Sequence, residues 1–168
     1  TPTPANNSYN SVVGWIKTAS GAIAPSAPVT IFYTTMPLVQ IPKTGPDKMI
    51  PSASRVGEGS VANMIDNNAN TFMQTNTTAN EWIQLTFTRR WRVGFLVYQG
   101  RQTYSDIIKD YQIYVEDTPL TATPDWSTMT PVAVGQFANT ISTQDVVMTT
   151  EPKEGICLII RGINAYRN

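Results

Sequence analysis

Punctuation constrains this chain more than any other feature. Twelve prolines and ten glycines are spread through 168 residues, and no window between them keeps an apolar stripe at helical spacing for three turns. What survives between the breaks is strand-sized. Val29-Thr30-Ile31-Phe32-Tyr33-Thr34-Thr35 is β-branched and aromatic, the composition that fits a pleated surface. Ile83 to Phe87, Tyr111 to Val115, Val132 to Val134 and Gln144 to Met148 alternate apolar with polar residues, as strands with one wet face do. Arg92 to Tyr98 is more continuously apolar and reads as a strand buried on both faces. Ile156 to Ile160 closes the set. The expectation is an all-β sandwich of the jelly-roll kind.

The breaks are not uniform. Thr1 to Ser8 has linker composition, and Pro37, Pro42, Gly45, Pro46 and Pro51 interrupt the chain repeatedly before the alternating strands begin. The expected division is an N-terminal extension or linker over residues 1–45, with one strand at 29–35, and a sandwich domain over residues 46–168. The sequence opens on Thr rather than Met and carries no leader-like segment, so it reads as a processed form or a piece of a longer chain.

Charge and composition exclude several functions. Lys plus Arg equals Asp plus Glu at 12 each, which leaves no long-range field for nucleic acid or an anionic membrane. Arg89-Arg90-Trp91-Arg92 mixes basic and aromatic residues as single-stranded nucleic-acid surfaces do, but in so neutral a chain it reads as a solvated turn. Histidine is absent, which removes Ser-His-Asp and Cys-His relays and every imidazole metal ligand. The single Cys157 lies between Ile156 and Leu158 and reads as a small buried hydrophobe. The acidic residues Glu116, Asp117, Glu151 and Glu154 lie in expected turns, with nothing to oppose them across a cleft as glycosidase carboxylates require. No apolar run approaches the roughly 18 residues of a membrane-spanning helix. A non-enzymatic protein with neither nucleic-acid binding nor membrane insertion is expected.

Five segments carry a resemblance. Ala62-Asn63-Met64-Ile65-Asp66-Asn67-Asn68-Ala69-Asn70-Thr71-Phe72 resembles the "A-x-x-I-D-G-N-x-D-T-x-W" loop of discoidin domains, the coagulation factor 5/8 type C family. That fold also supplies many bacterial carbohydrate-binding modules. Asn80 to Leu85 resembles the family's "N-E-W-I-Q-I" strand, and Tyr98 to Gln102 its "Y-x-P-R-Q" strand end. Ile108 to Val115 resembles "I-K-D-Y-E-I-Y-V", and Pro131 to Phe137 resembles "P-V-A-x-G-x-F". The resemblance implies an eight-stranded, galactose-binding-domain-like jelly roll with ligand loops at one end.

It also implies sites. A structural calcium ion would use Asp66, Asn70 and Thr71, since hard cations collect carboxylate, hydroxyl and carbonyl oxygens. Asn70 stands where the family more often has Asp, Asn67 replaces the usual Gly, and a further acidic ligand from a C-terminal strand has no counterpart. The alternative for Asp66 is a loop cap that accepts backbone N–H groups. For a sugar, Arg101 matches the family Arg, Gln74 stands at the His position, and Ser105 or Asp106 falls near the Asn position. Tyr104 is the loop aromatic suited to a platform. Arginine and amides fork onto vicinal hydroxyls, and an aromatic face covers the C–H face of a sugar. Arg101 has an alternative as a surface partner of Asp106. Trp82, Tyr98, Tyr111 and Phe137 read as core, with Trp126 packed against its own loop.

The expected function is a non-catalytic, lectin-like carbohydrate-binding or adhesion module of a secreted or surface protein, with a glycan or surface glycoconjugate as partner. The alternative is a structural subunit of a virion, phage tail or extracellular filament. Such a subunit would assemble as a homo-oligomer through its N-terminal strand.

Overall fold

The computed structural model describes residues 8–12, 15–17, 23–25, 29–33, 39–75, 80–101, 107–148 and 152–166. The chain divides into two compact units, Thr1–Gln40 and Ile41–Asn168. In the first, β1 (Ser8–Val12) pairs antiparallel with β4 (Val29–Tyr33), Ser8 opposite Tyr33 and Val12 opposite Val29. Between them, β2 (Trp15–Lys17) pairs with β3 (Ile23–Pro25). The expected strand at 29–35 therefore forms over 29–33 and has a partner in its own unit; residues 34 and 35 lie outside the described residues.

The second unit is all-β. Its strands are β5 (Ile50–Ala53), β6 (Glu58–Gly59), β7 (Met73–Gln74), β8 (Trp82–Val93), β9 (Phe95–Gln99), β10 (Ile108–Glu116), β11 (Ala133–Gln136), β12 (Thr143–Val147) and β13 (Lys153–Ala165). Five of them form one antiparallel sheet in the order β11-β10-β13-β8-β5. β9 and β12 form a second, two-stranded sheet, with Phe95 opposite Val147 and Gln99 opposite Thr143. Non-consecutive neighbours in the larger sheet are the mark of a jelly roll rather than a meander.

The core shows why these residues make a sandwich. Phe87, Ile113, Val115, Leu158 and Ile160 from the larger sheet form one buried cluster with Val146 of β12, and Leu96 and Tyr98 of β9 pack against it. Each fully buried aliphatic side chain contributes about 1.5–3 kcal/mol. Tyr98 stacks on Phe137 with ring centroids 3.7 Å apart, and Tyr111 closes on the same ring at 4.2 Å. A smaller cluster, Trp82, Tyr114, Cys157 and Ile159, occupies the other face of the larger sheet under Leu120, Trp126 and Met129. Strands β10 and β13 are thus buried on both faces, alternate residues such as Ile113 and Tyr114, or Leu158 and Ile159, facing the two clusters.

Two strand expectations change. Arg89-Arg90-Trp91-Arg92 is not a turn: β8 runs through it to Val93, with Arg89 stacked 4.3 Å over Trp91 and Arg90 2.9 Å from Asp117. The corner where the chain crosses from the larger sheet to the smaller one is Gly94, whose carbonyl accepts the Met148 N–H at 3.1 Å. The run after it is not buried on both sides either. Leu96 and Tyr98 face the core, while Phe95 and Val97 are 36% and 55% exposed. A continuous apolar run reports total hydrophobicity, and here half of it lies on an outer face.

Candidate functional site

Three chain segments converge beside the β6–β7 pair. Glu58 stands opposite Gln74 and Gly59 opposite Met73. Gly59 has φ +76°, and a Cβ there would fall 2.1 Å from the Phe72 carbonyl oxygen, so only glycine lets the two strands approach this closely. The loop they enclose is drawn shut by Asn63, whose Nδ2 donates to the Phe72 carbonyl at 2.8 Å. A 3₁₀ turn over Val61–Met64 opens that loop, capped by the Ser60 hydroxyl, which accepts the Ala62 N–H.

Arg101, two residues past the end of β9, reaches onto this pair. Its Nη1 donates to Gln74 Oε1 at 3.0 Å and lies 3.5 Å from Glu58 Oε2. Its guanidinium carbon sits 3.3 Å over the Phe72 ring. Phe72, just before β7, and Gln74, at its end, both meet the same arginine. The Arg101 side chain is 20% exposed and that of Glu58 61% exposed. The ion pair itself therefore adds little stability. Its consequence is orientation: a planar donor fork is held on an aromatic face with an amide and a carboxylate beside it.

Of the residues expected to bind a ligand, Arg101 and Gln74 are brought together, while Tyr104, Ser105 and Asp106 lie outside the described residues. Glu58 and Phe72 belong to the cluster and were not singled out in the sequence. Glu58 sits in a two-residue strand, too short to carry a period. Phe72 stands one place before the aromatic position of the resembling motif, and its even spacing from Gln74 was the signal that could have found it.

The Asp66 loop is folded by its own polar groups. Asp66 Oδ1 accepts the Asn68 N–H at 2.8 Å and Oδ2 accepts the Thr71 hydroxyl at 2.5 Å. Asn70 enters through its N–H, which donates to Asn68 Oδ1 at 3.1 Å. The bonds from Thr71 and Asn68 hold the Asp66 carboxyl below its ordinary range. Asn67 lies at φ +61° and its side-chain oxygen accepts a hydrogen bond from the Lys43 ammonium.

The donor set here does not fit a calcium ion. Calcium asks for six to eight oxygens, several of them anionic. Among the described residues no three acidic, His or Cys side chains converge. Both Asp66 oxygens already accept hydrogen bonds, and an ammonium group stands at the loop.

No protein-family model and no curated protein matches the sequence. Solved structures do match in fold. A family 32 carbohydrate-binding module of Clostridium perfringens NanJ, in complex with galactose, is 18% identical with a TM-score of 0.59, over 71% of this chain and 85% of that one. Another Clostridium perfringens module of that family, in complex with GalNAc-β-1,3-galactose, is 15% identical with a TM-score of 0.59, over 71% and 86% of the two chains. The family 32 module of AlyQ, in complex with 4,5-unsaturated mannuronic acid, is 18% identical with a TM-score of 0.55, over 71% and 84%. The second unit of this chain has the galactose-binding-domain-like, discoidin-type sandwich fold of the family 32 carbohydrate-binding modules.

Proposed function

We propose that this chain is a non-catalytic carbohydrate-binding module of a secreted or surface protein, and that it holds a neutral sugar at the Arg101 cluster. The observation that carries the reading is the convergence of Arg101, Gln74 and Glu58 on the Phe72 ring. A sugar hydroxyl donates one hydrogen bond and accepts others. A guanidinium that only donates, a carboxylate that only accepts and an amide that does both form a complementary set for two adjacent hydroxyls. Opposite charges at 3.5 Å leave the site without net charge, which suits neutral sugars better than uronic acids. Phe72 is covered by the arginine and serves as its support. Because the fold alone hosts many functions, the cluster rather than the sandwich supports the reading, and the neutral sugars of the structural neighbours, galactose and GalNAc-β-1,3-galactose, are the ligands to try first.

A glycan array probed with the full chain, beside Arg101→Ala, tests this. Binding concentrated on glycans with terminal neutral galactose or GalNAc, and reduced at least about tenfold in the variant by loss of a charge-assisted pair, is the expected result. A folded protein that binds no glycan, or binds equally well without Arg101, contradicts it.

A further inference from the structure

We infer that Lys43 serves as the cation of the Asp66 loop, so that the loop and the Arg101 cluster beside it are held without calcium. The chain is anchored just before Lys43: Ile41 packs against the core, and the Pro42 carbonyl accepts the N–H of buried Met49 at 2.8 Å. That anchoring delivers the ammonium to Asn67, the residue after Asp66, where it is hydrogen bonded to the side-chain oxygen. The backbone at Asn67 needs the left-handed region. Glycine would satisfy that need with no acceptor to offer, whereas asparagine tolerates it and supplies an amide oxygen. A tethered ammonium also opposes entry of a divalent ion by like-charge repulsion.

The consequence for binding follows from the chain path. Thr71, whose hydroxyl is locked to Asp66, directly precedes Phe72, the ring that carries Arg101. Lys43 is therefore a positioning residue acting through Asn67, which lies in the same loop between Asp66 and Thr71. Only this consequence rests on the sugar-binding reading; the assignment of Lys43 to the loop does not.

The test is thermal unfolding of the full chain in EDTA and in excess calcium chloride, for the wild type, Lys43→Met, Lys43→Arg and Asn67→Gly. The last variant keeps the left-handed turn and removes only the acceptor, so it decides the matter if Lys43→Met fails to fold. The wild type should melt at the same temperature in both buffers. Lys43→Met and Asn67→Gly should each melt about 2–4 °C lower, and Lys43→Arg should restore most of the loss. A calcium-induced rise of about 5 °C or more in the wild type, the signature of a saturated metal site, overturns the inference. So does wild-type melting in both Lys43→Met and Asn67→Gly. Where a glycan ligand is in hand, its affinity should fall in Lys43→Met, recover in Lys43→Arg and ignore EDTA. If no glycan binds the wild type, the sugar reading fails while the melting data still decide the role of Lys43.

Discussion

Cys157 has its sulfur 3.4 Å from the Glu116 carbonyl oxygen and 3.6 Å from that of Thr118, in a side chain with no exposed surface. Burial, the largest cause, pushes the thiol up to about 11. Since the thiolate is the reactive form, the native protein should give no reaction with a disulfide reagent at mildly alkaline pH and one equivalent after denaturation. Rapid labelling of the native protein would show the packing to be wrong. The pH sign follows as well. The folded state keeps its proton when the unfolded state begins to lose it near 9, so this thiol's contribution to stability declines as pH climbs toward about 11. Gln84 teaches a different lesson at the same scale. The alternation from Ile83 to Phe87 marked its face as polar, and polar is what it is, yet Gln84 is only 3% exposed. Its oxygen accepts the Leu120 N–H at 2.7 Å and its nitrogen donates to Ser52 at 3.2 Å. Periodicity tells which residues differ from their neighbours; a loop 36 residues away decides whether the polar face meets water.

At the scale of elements, the pairs that matter most to the site are the smallest. β6 and β7 contribute two residues each, and no period can be read from so few. What fixes them is contact: Gly59 against the Phe72 carbonyl, and Glu58 opposite Gln74. Gly59→Ala would combine a positive φ with a backbone clash, and should cost about 2 kcal/mol or more. Chemical denaturation checks the cost, and glycan affinity should fall with it as Phe72 and Gln74 lose their alignment. A variant of unchanged stability would mean that the two strands are not held this closely. The long strands were legible because each alternates over a buried face, as with Tyr111, Ile113 and Val115 of β10. Their corner was not: Arg89 to Arg92 carry turn-like charge, while the chain bends at Gly94, where a carbonyl bond to Met148 closes the edge.

For the whole molecule, the sandwich could be read because its signals are spread along the chain. Trp82, Tyr98, Tyr111 and Phe137, read as core aromatics, all pack inside the two clusters or against them. The site was legible by halves. Arg101 and Gln74 stood out at motif positions, whereas Glu58 and Phe72 join them only when β6 meets β7 in space. Asp66 was open between metal ligand and cap; its carboxylate accepts the Asn68 N–H as a cap does, and Lys43, 24 residues from Asn67, reaches the loop from a proline-broken segment where sequence shows only punctuation. Each missing piece depends on a contact between segments that no local pattern encodes.

The central claim is that a neutral sugar binds at the Arg101 cluster. Amide chemical-shift mapping by NMR, titrating galactose and GalNAc into the labelled full chain, tests it most directly. The account predicts saturable shifts centred on Glu58, Phe72 to Gln74 and Arg101, abolished by Arg101→Ala and unaltered by EDTA. Saturable shifts centred elsewhere on the sandwich, with the Glu58 and Gln74 amides unmoved, would contradict it.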